Sequence, residues 1–203
     1  LKPGMTFLDV GAQLGYFTLL AAWLVGDTGQ VHSFEPTPRT FELLRVNTRS
    51  KSNVHLNRVA VSSSLGIATM NDYGPRFSAF NSMYDAKLPK QGRPVTPASF
   101  QAQTITIDEY VAQEHLTPNF VKIDAESADY EILQGMHQTL EQCRPLISVE
   151  VGDLDIPGAP PSKDIVRFLA EKGYQPYEYV GGSIVKHEPK ERYEYDDMLF
   201  LPE

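Results

Sequence analysis

Phe7-Leu8-Asp9-Val10-Gly11-Ala12-Gln13-Leu14-Gly15-Tyr16-Phe17 joins an apolar strand to an apolar helix through a turn that carries two glycines. Met5–Val10 reads as the buried strand and Gln13–Val25 as the helix. Glycines in such a turn accept unusual torsions and let the backbone approach a ligand. The helix N-terminus adds unpaired amide donors. A turn of this kind, at the carboxyl end of a first strand, often holds a nucleotide-like ligand. The spacing argues against a dinucleotide. Counted from Gly11, the second and third glycines of a G-x-G-x-x-G fingerprint are replaced by Gln13 and Tyr16. No G-x-x-x-x-G-K-S/T phosphate loop occurs in the chain. Asp9, just before the turn, would repel a pyrophosphate and attract an amino or sulfonium group.

A second strand, Gln30–Glu35, ends in a carboxylate 20 positions after Gly15. A carboxylate there can accept hydrogen bonds from ribose hydroxyls. Alone, Glu35 reads equally well as an exposed strand-end acid; coupled to Asp9 and the two glycines, it favours the ribose role. The expected cofactor-binding residues are therefore Asp9, Gly11, Ala12, Gln13, Gly15, Tyr16, Glu35 and Pro36. Ala60 and Val61, closing a third strand Val54–Val61, would border an adenine, although a small apolar pair at a buried strand end looks the same. The ligand implied is adenosyl without a pyrophosphate, with S-adenosylmethionine the leading candidate.

Val121-Lys122-Ile123-Asp124-Ala125-Glu126-Ser127-Ala128-Asp129-Tyr130-Glu131 carries four acids within the eight positions from Asp124 to Glu131. The strand Phe120–Asp124 should end at the same crevice as the first. Asp129 and Glu131 suit the first turn of a helix. Asp124 and Glu126 precede that turn and are the expected catalytic residues. Methyl transfer from such a ligand needs a positioned in-line approach, and a weakly nucleophilic acceptor needs a base near its proton. Asp124 is the first candidate base, with binding of the cofactor as its competing role, and Glu126 is the second. Asp124, Glu126 and Glu150 could also form an oxygen cage for a metal. No histidine or paired spacing supports it, and the site is expected to hold no metal.

The rest of the chain alternates strands and helices, as in a parallel sheet covered on both faces. Thr37-Pro38 opens a helix, and Gly66–Met70 reads as a short antiparallel addition. Residues 71–103, with Gly74-Pro75, Leu88-Pro89, Gly92, Pro94 and Pro97, read as an irregular insertion that borders the acceptor pocket or is partly disordered. Thr104–Ile107 reads as a strand with Asp108 capping the next helix. Ala128, Ile132, Leu133, Met136 and Leu140 form one helical face. Pro145–Val151 is a strand, Ser162 caps a helix, and Tyr174–Val180 and Met198–Leu201 are final strands, antiparallel at one edge. Trp23, Leu19 and Leu20 are expected in the core; Phe17 either flanks the cofactor beside Tyr16 or, the preferred reading, packs beneath the sheet.

In order and spacing these segments resemble the FkbM-type family of S-adenosylmethionine-dependent methyltransferases. The pieces are Phe7–Phe17, Ser33–Pro36, Ala60-Val61-Ser62 with Gly66, Thr106–Tyr110, Val121–Gly135 and Arg144–Glu150, with a weaker match over Asp197–Leu201. The family usually has Asn at Gln13, Glu-Gly at Glu126-Ser127 and Glu at Asp129. The resemblance implies a class I methyltransferase (Rossmann-like) α/β fold: one domain over 1–203, with a doubly wound, seven-stranded, mostly parallel sheet and helices on both faces. It also implies O-methylation of a hydroxyl on a sugar or polyketide-like natural product. A non-catalytic cofactor-binding or interaction domain on the same fold is the alternative.

The chain's 203 residues suffice to bury a core without staples. With one cysteine, Cys143, no intrachain disulfide forms. Cysteine usage makes a reducing cytoplasm the default. The net charge of −8 opposes a phosphate-tracking surface, so the expected partner is a small molecule or glycan, not nucleic acid. No apolar stretch is long enough to span a bilayer. Of the histidines, His32 reads as packed within its strand, and none is singled out for chemistry.

Overall fold

The computed structural model describes residues 1–86, 88, 95–153, 155–194 and 196–203, with Asp196 described by its backbone alone. In chain order the elements are β1 (Thr6–Val10), α1 (Tyr16–Val25), β2 (Gln30–Phe34), α2 (Pro38–Thr48), β3 (Val54–Asn57), β4 (Ala60–Val61), β5 (Gly66–Asp72), β6 (Ala98–Ile105), α3 (Ile107–Gln113), β7 (Phe120–Ile123), α4 (Asp129–Gln134), α5 (His137–Gln142), β8 (Leu146–Val151), α6 (Ser162–Glu171), β9 (Tyr174–Val180), β10 (Ser183–Lys186) and β11 (Asp196–Pro202). Eight strands form one sheet in the order β10-β9-β11-β8-β7-β1-β2-β3, and a second sheet has the order β4-β6-β5. Neighbours from β3 to β8 are parallel. β11 is antiparallel to both β8 and β9. The winding reverses between β1 and β7, which opens a crevice at their carboxyl ends.

The main sheet has one strand more than the seven expected. Gly181 and Gly182 have φ of 58° and 90°, and they fold β10 back onto β9. Two successive left-handed residues are what a type I′ hairpin turn requires.

Alternate residues of β1 serve opposite faces, as the strand period dictates. Leu8 and Val10 join Val121, Ile147, Ile132, Leu133, Met136 and Leu169 in one cluster. Phe7 joins Val31, Ala21, Ala22 and Val25 on the other side. Each fully buried large aliphatic contributes roughly 1.5–3 kcal/mol. α1 turns only Thr18, Ala21, Ala22 and Val25 inward. Those small residues lie against the sheet and leave Leu20 exposed and Trp23 71% exposed, contrary to the expected core placement.

Other boundaries shift for identifiable reasons. The third strand breaks after Asn57, because Ala60–Val61 leaves the main sheet to pair with β6. The 71–103 segment is not irregular throughout: β5 continues to Asp72, Ser78–Phe80 forms a 3-10 turn, and β6 begins at Ala98. β5 and β6 form an antiparallel ladder, with Met70 and Ala102 packed against Ala60. Pro89, Gly92 and Pro94 lie outside the described residues. The expected helix after Ser127 is two helices that part at Gly135, where a Cβ would lie 2.3 Å from Ser62 O. Thr106, not Asp108, caps α3 by accepting Glu109 N–H. Asp108 caps α5 instead, accepting Gln138 and Thr139 N–H. Ser162 is the first residue of α6, and its hydroxyl accepts Gly152 N–H rather than capping its own helix.

Candidate active site

Parallel pairing places Val10 beside Phe34 on one side and Ile123 on the other. The turn after β1 is thereby flanked by Glu35 and Asp124. Gly11, Ala12, Gln13, Tyr16, Glu35, Pro36, Ala60, Val61, Asp124 and Glu126 all line one cleft at these strand ends.

Two of the expected ligand residues stand elsewhere. Gly15, with φ of 91°, faces α2, where an added Cβ would meet Leu44 Cδ1 at 2.7 Å. Asp9 is completely buried. Its Oδ2 accepts the Thr18 hydroxyl at 2.6 Å, and its Oδ1 lies 3.7 Å from Lys122 Nζ. The cation that Asp9 attracts is therefore Lys122, not a ligand group. Burial pushes the Asp9 carboxyl above its usual range, against the pull of Lys122 and Thr18. The role of Gly11 also differs from the expected approach to a ligand. With φ of 74°, it lies where a Cβ would fall 1.8 Å from Asp124 O, so its missing side chain lets two strand ends meet.

Lys122 is the functional residue that sequence reasoning passed over. A lysine inside the apolar run Phe120–Ile123 had to be buried, and a buried cation needs partners. Its Nζ lies 3.0 Å from Asp124 Oδ2 and donates to Gly11 O at 3.3 Å. It also stands 5.1 Å from the Phe17 ring centre. Phe17 thus lines the cleft instead of packing beneath the sheet. Burial disfavours the ammonium, but Asp9 and Asp124 together hold its pKa above the ordinary value.

Glu35 Oε1 accepts Thr37 N–H at 2.8 Å and Oε2 accepts Gln13 N–H at 3.1 Å. Gln13 adopts a left-handed φ of 48° as the turn passes beneath this carboxylate. A carboxylate has about four lone-pair sites, so each oxygen retains capacity for a further donor. Burial raises the Glu35 pKa, opposed by these amides.

Glu126 and Ser127 follow with φ of 52° and 77°. Ser82 Oγ donates to Glu126 O at 2.6 Å, and Asp129 Oδ1 accepts Ala125 N–H at 3.0 Å. This turn brings Glu126 and Asp124 to Glu150: one oxygen of each lies within 4.8 Å of the others. Burial, then Asp124 and Asp129, raise Glu126 to about 8. Burial and Asp124 also raise Glu150. Among the described residues no histidine lines the cleft.

The Methyltransferase FkbM domain model matches residues 9–176. The chain belongs to the FkbM methyltransferase family. Hexuronic acid methyltransferase AglP of Haloferax volcanii is 30% identical over 165 residues, covering 80% of this chain and 60% of AglP. The 31-O-demethyl-FK506 methyltransferase FkbM of Streptomyces tacrolimicus is 26% identical over 178 residues, covering 76% of this chain and 68% of that protein. The chain thus spans about two thirds or less of these curated relatives. The crystal structure of methyltransferase FkbM from Methylobacillus flagellatus aligns with a TM-score of 0.61 over 99% of this chain and 44% of that one. At 14% identity that likeness speaks for the fold.

FkbM methyltransferases use S-adenosylmethionine, and the cleft's donor set fits it. Glu35 is a buried acid pinned by two amides and open to a diol, with no glycine fingerprint for a pyrophosphate beside it. Asp124 adds a carboxylate to the same cleft, which would attract a cationic group such as an ammonium or a sulfonium.

Proposed function

We propose that this FkbM domain transfers the methyl group of S-adenosylmethionine to a hydroxyl on a sugar or polyketide-like natural product. When bound, S-adenosylmethionine supplies a methyl group on a sulfonium centre. Glu35 with Gln13 and Pro36 holds the ribose, Ala60 and Val61 border the adenine, and the Gly11–Ala12 turn with Asp124 receives the amino-acid end. Tyr16 stands at the mouth of the cleft.

The observation that carries this reading is the group of carboxylates where the cleft meets a second depression. That depression is lined by Ser127, Asp129, Tyr130, Glu150, Asp153 and Ile156, among others. Carboxylate and phenol groups beside an apolar wall suit a hydroxylated acceptor. Glu126, raised to about 8, is matched to take the acceptor's proton near neutral pH. Asp124, fixed by Lys122, orients the nucleophile or takes that proton itself as the C–O bond forms and the C–S bond breaks. The names of two relatives, specifying a hexuronic acid and 31-O-demethyl-FK506, support this acceptor class.

The reading includes a small-molecule or glycan acceptor and a cytoplasmic setting. The acidic balance and the single Cys143 support these. Among the described residues no helix is long and apolar enough to cross a membrane. Transfer of labelled methyl from S-adenosylmethionine to a panel of uronic acids, neutral sugars and macrolide hydroxyls tests the reading. Turnover on one class, lost in Asp124→Ala, is expected. Cofactor binding without turnover on any acceptor would return the non-catalytic alternative.

A further inference from the structure

Glu150 is 7% exposed, and its Oε2 has no hydrogen-bond partner among the described residues. An acid this deep normally has its oxygens satisfied. The neighbouring strands make its position less favourable still. β7 and β8 pair in parallel with Ile123 opposite Val149, so the next residues, Asp124 and Glu150, emerge side by side. Like charges opposite one another across a sheet are destabilising. Glu126 is brought in from another direction by two successive left-handed residues, held there by Ser82. The ammonium nearest the group, Lys122, is shared between Asp124 and Asp9. Three carboxylates thus converge to within 4.8 Å, and one of them, Glu150, is nine-tenths buried with its Oε2 lacking a hydrogen-bond partner among the described residues.

We propose that Asp124, Glu126 and Glu150 bind a divalent cation that holds the methyl acceptor, against the metal-free site the sequence suggested. The donors are all carboxylate oxygens, with no histidine or thiolate, which selects a hard ion such as Mg²⁺ or Mn²⁺ over Zn²⁺. Such ions keep several coordination positions for water or substrate oxygens. Asp124 Oδ2 faces Lys122, leaving Oδ1 for the ion. Glu150 and Glu126 each offer one carboxylate oxygen. The ion stands between the cofactor cleft, lined by Asp124 and Glu126, and the second depression, lined by Glu150. A hydroxyl or carboxylate oxygen of the acceptor completes its coordination. This removes the repulsion that three acids would exert on an anionic acceptor. The acceptor role rests on the methyl-transfer reading; the cation site itself does not.

The test uses Mn²⁺ alone, titrated into the full chain and followed by electron paramagnetic resonance, with S-adenosylhomocysteine titrated separately by calorimetry. One Mn²⁺ per chain is expected, weakened at least about tenfold in both Glu150→Gln and Glu126→Gln. S-adenosylhomocysteine affinity should be unchanged in Glu150→Gln, which also shows that this variant is folded. No Mn²⁺ binding by folded wild type at millimolar metal, or equal binding by wild type and both variants, overturns the proposal. If Mn²⁺ binds as expected but S-adenosylhomocysteine does not bind wild type, the methyl-transfer reading falls and the cation site stands.

Discussion

Glu35 reaches back across 22 residues to accept the backbone N–H of Gln13. The same carboxylate takes the Thr37 N–H with its other oxygen. It therefore ties the turn after β1 to the turn after β2 before any ligand arrives. Glu35→Ala should weaken S-adenosylhomocysteine at least about tenfold and lower stability by about 2 kcal/mol, because two amides lose a charged partner. Glu35→Gln retains one acceptor oxygen and should remain folded while still losing affinity. Calorimetric titration and urea melts separate the two effects. Wild-type affinity in Glu35→Gln would remove Glu35 from ligand binding.

Lys122 is the counter-charge of a fully buried Asp9. Lys122→Met should destabilise the fold by about 3 kcal/mol, as expected when one member of a buried pair is removed. Adding Asp9→Asn should restore more than half of that stability, since the uncompensated charge is gone. Turnover should stay low in the double variant, because Asp124 still lacks its ammonium. A double-mutant cycle in urea measures this, and an additive result would rule out the pairing.

Ser127 holds φ of 77° with a Cβ, in a region where only glycine is unstrained. Ser127→Gly should raise stability by about 0.5–1 kcal/mol and leave the direction of the Glu126 backbone intact. Thermal and urea denaturation would show it. A loss of stability would mean that the serine side chain contributes more than its torsion costs.

His32 stacks on His55 with ring centres 4.5 Å apart. Its two nitrogens meet Tyr110 Oη and Gln30 Oε1. The neutral ring that donates to Gln30 and accepts from Tyr110 satisfies both. Burial first, and His55 second, lower its pKa from 6.5 to about 4. The unfolded chain therefore binds a proton that the folded chain refuses. The stability contribution is complete above about pH 6.5 and is lost as pH falls toward 4, by up to about 3 kcal/mol. His32→Gln should flatten the stability profile over that window relative to wild type. A parallel profile would refute the assignment.

The parts of this molecule legible in sequence depend on neighbours along the chain. The two-residue period of the strands, the Gly11 turn, and the strand-end acids Glu35 and Asp124 are local patterns, and each sits at the cleft. What was not legible depends on neighbours in space. Asp9 looks like a ligand acid until Lys122, from a strand paired beside it, is seen to neutralise it. Trp23 looks like core until Ala21 and Ala22 are seen to take the sheet-facing side of α1. Only the end of β6 was legible, as the strand read at Thr104–Ile107; its start follows Pro97, in an alternation whose partner, β5, supplies its meaning. The Gly181-Gly182 pair was a local signal for β10 and could have been used.

The connection between β5 and β6 meets the turn at Glu126 through Ser82 and touches the α2 entrance through Asn81, whose amide donates to Thr37 Oγ1. Glu35, Lys122 and Asp124 all belong to the main sheet or its strand ends. The same connection lines the cleft through Ser78, Ala79, Asn81 and Met83. A segment outside the main sheet is thereby a wall of the cleft and a brace for two of its turns at once, so a change along 73–86 reaches the cleft itself and not the surface alone.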